Sequence, residues 1–270
     1  MTRVEMLGRL VLPDRVIPGR LRVEGGRIAE IAHDERGADG PLIAPGFVDL
    51  HVHGWGGHAA MDGPTALDGM ARGLVDRGVT TFLPTAVSAP LDALATFARD
   101  VRGWSPPDDG ADAPGFNLEG PFLAPGRKGA HAAEHLRVPA DVGADALEPL
   151  LEGLRLATIA PELPGALELI ARLVGRGVVV SLGHSGATLE EARAGYDAGA
   201  RSTTHLFNAM TGVAHRDPGL AVAALTDDRA AVELIADGHH VHPALWPLIV
   251  RAKPPSGLLL VSDAIALAGS

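Results

Sequence analysis

The stretch GFVDLHVHG (residues 46–54) places two histidines in an apolar run that has the length of one β-strand. Side chains at positions i and i+2 of a strand point to the same face, so His51 and His53 lie side by side, with Asp49 deeper on that face. Burying so much polarity requires partners for these groups. The stretch therefore predicts a strand that carries a functional site at its end, with Asp49 supporting the histidines.

Seven more short apolar runs follow this strand, and Ala-rich segments with helical periodicity separate most of them. Thr188 and Glu191 have the spacing of a capping box at the start of one such segment. Eight strand–helix repeats predict an α/β fold of the (β/α)8 TIM-type barrel. An open doubly wound sheet is the alternative, but no Gly-rich phosphate-binding fingerprint follows the first run. The eight predicted strand segments are residues 46–54, 80–86, 115–122, 156–162, 178–185, 202–209, 231–238 and 258–265.

Residues 1–44 have a different pattern, in which short alternating runs are punctuated by Gly and Pro. Gly25 and Gly26 predict a hairpin turn within this region. The sequence thus predicts a small antiparallel β unit in residues 1–44 and a barrel in residues 45–270.

Composition excludes several classes of protein. The 270 residues, 46% of them hydrophobic, are enough for one sizeable domain. A net charge of −10 without a basic block argues against nucleic-acid binding. The chain has no cysteine for disulfides or thiolate chemistry. It also shows no signal-peptide pattern and no apolar run near the roughly 20 residues of a membrane span. We therefore expect a cytoplasmic protein without a nucleic-acid or membrane partner.

Polar residues recur at or near the C-terminal ends of the predicted strands. Buried parallel strands normally consist of continuous apolar residues, so packing alone does not explain this recurrence. In a (β/α)8 barrel, the C-terminal ends of the strands form the active site. The residues concerned are His51, His53, Glu119, Glu162, His184, His205, Asp237 and Asp263.

Four of these residues are histidines and one is Glu119, a donor set that suits a divalent metal such as zinc with an open position for water. Such a metal lowers the pKa of water and polarises a carbonyl group. Asp263 could then act as general base and later as general acid. The constellation predicts metal-assisted hydrolysis, most simply of an amide.

Each residue alone has a simpler interpretation. A single His-x-His pair in a strand is weak evidence for a metal, since hydrogen-bonded core histidines are common. Glu119 could cap a turn, His184 could belong to a turn, and His205 could pack in the core. Asp263 could be the N-cap of a following helix. Only their joint position at five strand ends favours a shared site.

Several motifs resemble a known family. PGFVDLHVHG resembles the first strand of the amidohydrolase superfamily. Six further motifs, in the same order along the chain, resemble the narrower family of N-acetylglucosamine-6-phosphate deacetylases, and the resemblance covers the whole chain. These motifs are NLEGPFL followed by KGAH, SLGHSGAT, THLFNAM, HRDPGLA, IADGHHV and LVSDAIALAG.

The resemblance implies a (β/α)8 barrel with a small β-sandwich, and hydrolysis of N-acetylglucosamine 6-phosphate to glucosamine 6-phosphate and acetate. Glu119, His184 and His205 match the main metal ligands of the family. His51 and His53 match a pair that holds a second metal in some members. The resemblance thus implies one or two divalent ions per subunit, with zinc as the leading candidate and iron, manganese or cobalt as alternatives.

Other matches concern catalysis and the sugar. Asp263 matches the aspartate that takes a proton from the attacking water and then protonates the leaving amine. His240 matches a histidine that helps to polarise the acetyl carbonyl, and His131 matches a histidine that contacts the sugar. Each of these roles is an implication of the resemblance.

The phosphate group has its own matches. Asn208 and the backbone at Ala209 match phosphate contacts, and Arg216 matches an arginine that reaches the substrate of the neighbouring subunit. A homodimer is therefore implied. The guanidinium group suits a dianionic phosphate, because it offers a bidentate fork. A surface salt bridge between Arg216 and Asp217 is the alternative interpretation.

The chain departs from the family pattern at its end. Family members continue beyond the position of Ser270 with a helix and strands that complete the β-sandwich, so an exposed apolar face and open edges are expected here. Two other functions stay open on this evidence. One is a related amidohydrolase acting on another N-acetyl sugar phosphate or a cyclic amide. The other is an inactive, truncated form that binds a metal or a sugar phosphate.

Overall fold

A computed structural model describes residues 3–270 of the chain. The chain divides into two compact units, one ending at Phe47 and the other spanning Val48–Ser270. No helix among the described residues is long and apolar enough to cross a membrane.

The first unit is a four-stranded sheet in the order β3-β2-β1-β4. The predicted hairpin at Gly25 and Gly26 is confirmed: both residues have positive φ, 58° and 76°, as a tight turn between β2 and β3 requires. The prediction of a purely antiparallel unit is wrong, because β4 pairs parallel to β1. A longer connection than a hairpin precedes β4 and permits this direction. The strands are β1 (Arg3–Val11), β2 (Val16–Glu24), β3 (Arg27–His33) and β4 (Leu42–Ile43).

This small sheet exposes several large apolar side chains. Val4, Ile28 and Ile31 have 45%, 63% and 48% of their surface accessible, whereas Leu10 is buried. The first unit therefore presents several exposed apolar side chains.

The second unit contains the predicted barrel. Eight strands form one sheet in the order β14-β13-β12-β11-β10-β9-β8-β5, and neighbouring strands from β8 to β14 run parallel. Each of the eight predicted runs contributes one strand, so the (β/α)8 prediction is confirmed. The strands are β5 (Phe47–Val52), β8 (Val79–Ala86), β9 (Phe116–Glu119), β10 (Leu154–Ile159), β11 (Val179–Leu182), β12 (Ser202–Thr203), β13 (Ala231–Leu234) and β14 (Leu258–Leu260).

The barrel closes where the segment after β14 meets β5. Val52 and Ala264 form a parallel bridge, and the amides of His53 and Asp263 donate to the carbonyl oxygens of Ala264 and His51. Gly54 permits this approach, since a Cβ atom there would lie 2.5 Å from the nitrogen of Ala266. We call these contacts the seam. A short hairpin of β6 (Gly54–Trp55) and β7 (His58–Ala59) follows it.

One helix follows each of the first seven barrel strands. Helix α1 begins at Pro64, where proline is favoured because its missing N–H has no partner in the first turn. Its apolar positions recur on one face, which packs on the sheet. The capping box predicted at Thr188 and Glu191 is present at the start of α5. The helices are α1 (Pro64–Val75), α2 (Leu91–Gly103), α3 (Ala144–Leu151), α4 (Ala166–Gly175), α5 (Leu189–Asp197), α6 (Leu220–Thr226) and α7 (Trp246–Ala252).

Seven of the eight predicted strands are longer than the observed ones, and two of these differences concern site residues. Strand β12 ends at Thr203, because the chain then turns through residues 204–209. Asp263 was expected on the last strand, but β14 ends at Leu260 and Asp263 lies on the following segment. The residues after Asp263 form turns instead of a helix, which removes the N-cap interpretation of this aspartate.

Candidate metal centre and active site

The C-terminal ends of the barrel strands surround a cavity of about 660 Å³. His51 lies beneath it and is fully buried. Arg216 is exposed on a loop and does not line the cavity. The predicted site residues that do line it are His53, Glu119, His131, His184, His205, Asn208, Ala209, His240 and Asp263.

Glu119, the last residue of β9, lies at the centre of this cluster and is almost fully buried. Its Oε1 atom is 2.9 Å from Nε2 of His184 and 2.8 Å from Nε2 of His205. Its Oε2 atom is 3.0 Å from Nε2 of His53 and 3.4 Å from Nε2 of His51. Each carboxylate oxygen therefore faces a different pair of these four histidines.

We call His184 and His205 the loop half of the site, because both follow the ends of their strands. We call His51, His53 and Asp263 the strand half, because its two histidines belong to β5 or follow it directly. The Oδ1 atom of Asp263 is 3.5 Å from Nε2 of His51 and 3.3 Å from Nε2 of His53. The donor atoms of Glu119 and the strand half all lie within 4.8 Å of one another.

Hydrogen bonds on the far side of three rings define their tautomers. Nδ1 of His51 faces a carboxylate oxygen of Glu233 at 3.2 Å. Nδ1 of His53 faces the carbonyl oxygen of Thr85 at 3.1 Å, and Nδ1 of His184 faces the carbonyl oxygen of Arg127 at 2.7 Å. These oxygens only accept, so each Nδ1 carries a proton, and a ring that is neutral, as in a metal-bound state, would direct a bare Nε2 at Glu119.

Ring nitrogen atoms of neighbouring histidines meet at short distances within the cluster. Nε2 of His51 is 3.2 Å from Nε2 of His53, and Nε2 of His184 is 3.0 Å from Nε2 of His205. Two lone pairs facing each other need a cation between them or beside them. Imidazole and carboxylate donors with hydrogen-bonded far sides are the usual environment of a bound divalent metal, so the residues fit such an ion.

His131 differs from these histidines. Its Nδ1 accepts from the backbone N–H of Ser88 at 3.0 Å, so the neutral ring carries its proton on Nε2. That Nε2–H donates to Oε2 of Glu119 at 3.1 Å. Although Nε2 of His131 lies close to Glu119 and His184, its proton makes it a hydrogen-bond donor and a poor metal ligand.

Burial and charge shift the titration of the metal-free cluster. Burial lowers the pKa of His51, but the negative charges of Glu119 and Glu233 outweigh it and raise the pKa well above its ordinary value. The same competition raises the pKa of His53 and His205. Burial raises the pKa of Glu119, but the surrounding histidines outweigh it and hold the pKa well below its usual range.

The pKa values of the two aspartates near the histidines, Asp263 and Asp49, shift in opposite directions. Burial raises the pKa of Asp263, but the hydrogen bond from His53 and the charge of His51 lower it below its ordinary value. Burial dominates at Asp49 and raises its pKa, although its carboxylate accepts from the amides of His51 and Ser262. Asp49 thus ties β5 to the segment that carries Asp263, behind the histidines as predicted.

Backbone strain is concentrated at the site. Among the described residues, five that are not glycine have positive φ, and all five lie in the segments that follow β11, β12 and β14. The values for His184 and His205 are 47° and 28°. The other three are Phe207 (77°), Ala209 (49°) and Asp263 (49°).

Two predicted polar positions hold loops in place. Glu162 accepts from the hydroxyl of Ser185 at 2.7 Å and from the amide of Gly186, which fixes the loop after His184. Asp237 accepts from the amide and from Nδ1 of His240, at 2.9 and 2.7 Å. Burial raises the pKa of Asp237, but the hydrogen bonds from His240 outweigh it and lower the pKa to about 2.

Sequence reasoning missed Glu233 and the role of Ser88. Glu233 stands in the apolar run of β13 and is fully buried, so the signal that singled out His51 also applied to this residue. Ser88 fixes the tautomer of His131 through its backbone amide, which leaves no trace in the sequence. His135 also lines the cavity.

The barrel and its buried cluster of histidines around one carboxylate define the class of metal-dependent hydrolases that use the C-terminal face of a barrel. The model of the amidohydrolase family matches residues 42–269. The chain belongs to the amidohydrolase family, and the predicted resemblance is confirmed.

The similar relatives are deacetylases of amino-sugar phosphates. An N-acetylgalactosamine-6-phosphate deacetylase of Escherichia coli O157:H7 is 42% identical over 258 residues, which cover 93% of this chain and 68% of the relative. An N-acetylglucosamine-6-phosphate deacetylase of Homo sapiens is 37% identical over 287 residues, which cover 97% of this chain and 69% of the relative. The chain thus spans about two thirds of the length of these relatives.

Solved structures give the same result. The crystal structure of N-acetylglucosamine-6-phosphate deacetylase from Thermotoga maritima has a TM-score of 0.90 and 34% identity, covering 99% of this chain and 72% of the other. A mutant of the enzyme from Mycobacterium smegmatis, in complex with N-acetyl-D-glucosamine-6-phosphate, has a TM-score of 0.85 and 35% identity. That match covers 98% of this chain and 72% of the other.

Proposed function

We propose that this protein removes the acetyl group from N-acetylglucosamine 6-phosphate, giving glucosamine 6-phosphate and acetate, with the help of a divalent metal. The observation that carries the proposal is the position of Glu119, whose two oxygens face separate pairs of histidines beneath the cavity. The names of the relatives support the substrate.

Glu119, His184 and His205 would hold one ion, and Glu119 with His51 and His53 would hold a second. Zinc is our leading candidate, because imidazole nitrogens with one carboxylate and no thiolate suit it well, as they also suit iron, manganese or cobalt. When bound, such an ion lowers the pKa of water and polarises the acetyl carbonyl. His131 stays outside the ligand set, since its Nε2 carries a proton.

Asp263 is the proposed general base and general acid. Its lowered pKa leaves the carboxylate ionised near neutral pH, so it can accept a proton from the attacking water. It then donates that proton to the nitrogen of the leaving amine. His240, oriented by Asp237, would help to polarise the carbonyl group, and His131, which lines the cavity, would contact the sugar.

The phosphate would be bound by Asn208 and the backbone at Ala209, both of which line the cavity. None of the described residues that line it is Lys or Arg, yet a dianion calls for fixed positive charge. Arg216 is exposed and away from this cavity. We therefore propose a homodimer in which Arg216 reaches the phosphate in the neighbouring subunit.

N-acetylgalactosamine 6-phosphate is the second candidate substrate, favoured by the 42% identity to the E. coli deacetylase. The two sugars differ only in the configuration at C4, so a short contact in the cavity would decide between them. We further propose a cytoplasmic location, in keeping with a phosphorylated substrate and a chain without cysteine.

Acetate release tests the function. The protein is loaded with zinc, freed of unbound metal, and incubated with N-acetylglucosamine 6-phosphate, N-acetylgalactosamine 6-phosphate or unphosphorylated N-acetylglucosamine. We expect acetate from at least one phosphate ester, and turnover at least about 100-fold slower without the phosphate, since its binding energy is then lost. A folded, metal-loaded sample that releases no acetate from either ester would favour the inactive binding form instead.

A further inference from the structure

We infer that Glu233 is a positioning residue that makes His51 a metal ligand and thereby controls whether the strand half holds its own ion. The inference rests on the proposed metal-dependent function, and it adds a residue that determines the number of ions bound.

The first argument is the isolation of Glu233. Its side chain is fully buried on β13, next to the last barrel strand. One carboxylate oxygen faces Nδ1 of His51 at 3.2 Å and the amide of His205 at a longer 3.4 Å. The other oxygen has no hydrogen-bond partner among residues 3–270.

The second argument is the lack of any other cation for this carboxylate. Within the described part of the chain, His51 is its one partner in an ion pair. Arg155 and Arg201 line the same cavity as Glu233, but their guanidinium groups donate to backbone carbonyls. Among the described residues, the contact with His51 is therefore the one ion-pair interaction available to the Glu233 side chain.

The third argument concerns the far side of the His51 ring. A proton on Nε2 of His51 would satisfy one acceptor, yet Glu119, Asp263 and the bare Nε2 of His53 all converge there. A metal ion beside Nε2 satisfies all of them at once. Glu233 then has the role of the carboxylate in a carboxylate–histidine–metal arrangement, which fixes the ring and strengthens it as a ligand.

The loop half has no equivalent. His184 is held by a backbone carbonyl, and Nδ1 of His205 is buried without a partner among residues 3–270. Glu233 reaches the loop half only through the longer 3.4 Å contact with the backbone amide of His205, so a change at Glu233 should weaken mainly the ion of the strand half.

Metal counting tests this prediction without any substrate. The metal-free wild type and the variants Glu233→Gln and Glu233→Leu are titrated with zinc against a competing chelator, and bound zinc is measured by elemental analysis. The matched control is Tyr196→Phe, which also removes a buried hydrogen bond in the barrel, to Thr203, but none to a histidine of the site.

We expect two ions in the wild type and in the control. Glu233→Gln should bind one of them about 10- to 100-fold more weakly, as for other partners behind a ligand, and Glu233→Leu should bind it at least as weakly. The other ion should be unchanged in both variants. Wild-type affinity for both ions in both Glu233 variants would overturn the inference, as would a wild type that binds a single ion.

If neither variant folds, the wild type itself decides. Nitrogen-15 NMR of the zinc-loaded protein should show His51 protonated at Nδ1 and unprotonated at Nε2, with the signal identified by its loss in His51→Asn. A proton on Nε2 of His51 would overturn the inference. Acetate release on the same samples separates the two proposals, since zinc counts that depend on Glu233 without any turnover would reject only the deacetylase function.

Discussion

The loop half and the strand half of the site share Glu119 but are built differently. The histidines of the strand half are one residue apart at the end of a regular strand, and their spacing alone brings them together. The histidines of the loop half come from two strands and have left-handed backbones. Each such residue costs about 1–3 kcal/mol unless its surroundings enforce it.

Hydrogen bonds around the loop half hold these left-handed backbones in place. The amide of Ser185 donates to the carbonyl of Ala209, and the amide of Thr211 donates back to the carbonyl of Ser185. Glu162 adds its hydrogen bond to the Ser185 hydroxyl. The comparison teaches that a pair of ligands can be placed by strand geometry alone or by a network of strained loops, and that the second solution needs many supporting contacts.

Removing the residue that both halves share should have the largest effect. Glu119→Ala removes the carboxylate that faces the four histidines of the two halves. Both ions should therefore be lost, and acetate release should fall to background. Elemental analysis and an acetate assay measure this. Retention of one tightly bound ion would show that the halves are independent of Glu119.

Asp263→Asn should remove the proton transfer while leaving the metal in place. General acid–base catalysis contributes about 100- to 10,000-fold, so kcat should fall by that amount with bound zinc unchanged. A near-normal kcat would contradict the assignment of the base. A loss of zinc together with activity would instead make Asp263 a ligand of the strand half.

The halves can be separated by one variant in each. His184→Asn and His51→Asn should each weaken one ion by at least about 100-fold, since even partners behind a ligand contribute 10- to 100-fold. The ion that survives should differ between the two, which cobalt absorption spectra would report. Identical spectra of the two variants would break the division into halves.

The thermal stability of the metal-free protein should depend on pH, because several buried histidines have raised pKa values. A raised pKa in the folded state stabilises the fold below the ordinary value of about 6.5 and loses that effect as pH rises through the raised pKa. His51, His53 and His205 all have raised pKa values. The Tm of the metal-free protein should therefore fall as pH rises from neutral into the alkaline range.

Scanning calorimetry across this pH range checks the prediction. The zinc-loaded protein is the first control, since its Nε2 atoms are occupied and it should not lose stability in this way. The metal-free His51→Asn variant is the second control, and its Tm should fall less steeply with pH than that of the metal-free wild type. Equal slopes for all three samples would argue that these histidines are neutral in the fold.

The smallest effect should come from relieving strain at Ala209, in the loop that follows His205. Ala209 has φ 49°, where a left-handed backbone costs an ordinary residue about 1–2 kcal/mol. Ala209→Gly removes this cost but adds disorder to the unfolded chain, so the free energy of unfolding should rise by less than about 1 kcal/mol. Urea denaturation measures it.

Ala266→Gly is the matched control, because Ala266 has a similar partial exposure and no positive φ. It should lower the free energy of unfolding by about 0.5–1 kcal/mol. If Ala209→Gly also lowered the free energy of unfolding, the backbone at Ala209 would not be strained.

Much of the fold and part of the site follow from the sequence. The eight apolar runs predict the strands, and polar residues at their ends predict the face that carries the site. The positive φ values of His184 and His205 could not be foreseen, since they depend on loops that pack together only in the folded barrel. The tautomers could not be foreseen either, because two of the Nδ1 partners are backbone carbonyls. Glu233 could have been found, as an acid within the apolar run of β13.

The seam ties the lifetime of the site to one local motion. The amide of Asp263 bonds the carbonyl of His51, and the amide of His53 bonds the carbonyl of Ala264, so closing the barrel and assembling the strand half are the same event. Local opening of this last junction would separate Asp263 from both histidines while the other seven strand pairings persist. The proposed general base is then in place only while the barrel is closed at the seam, so opening there would interrupt proton transfer while Glu119, His51 and His53 stay together.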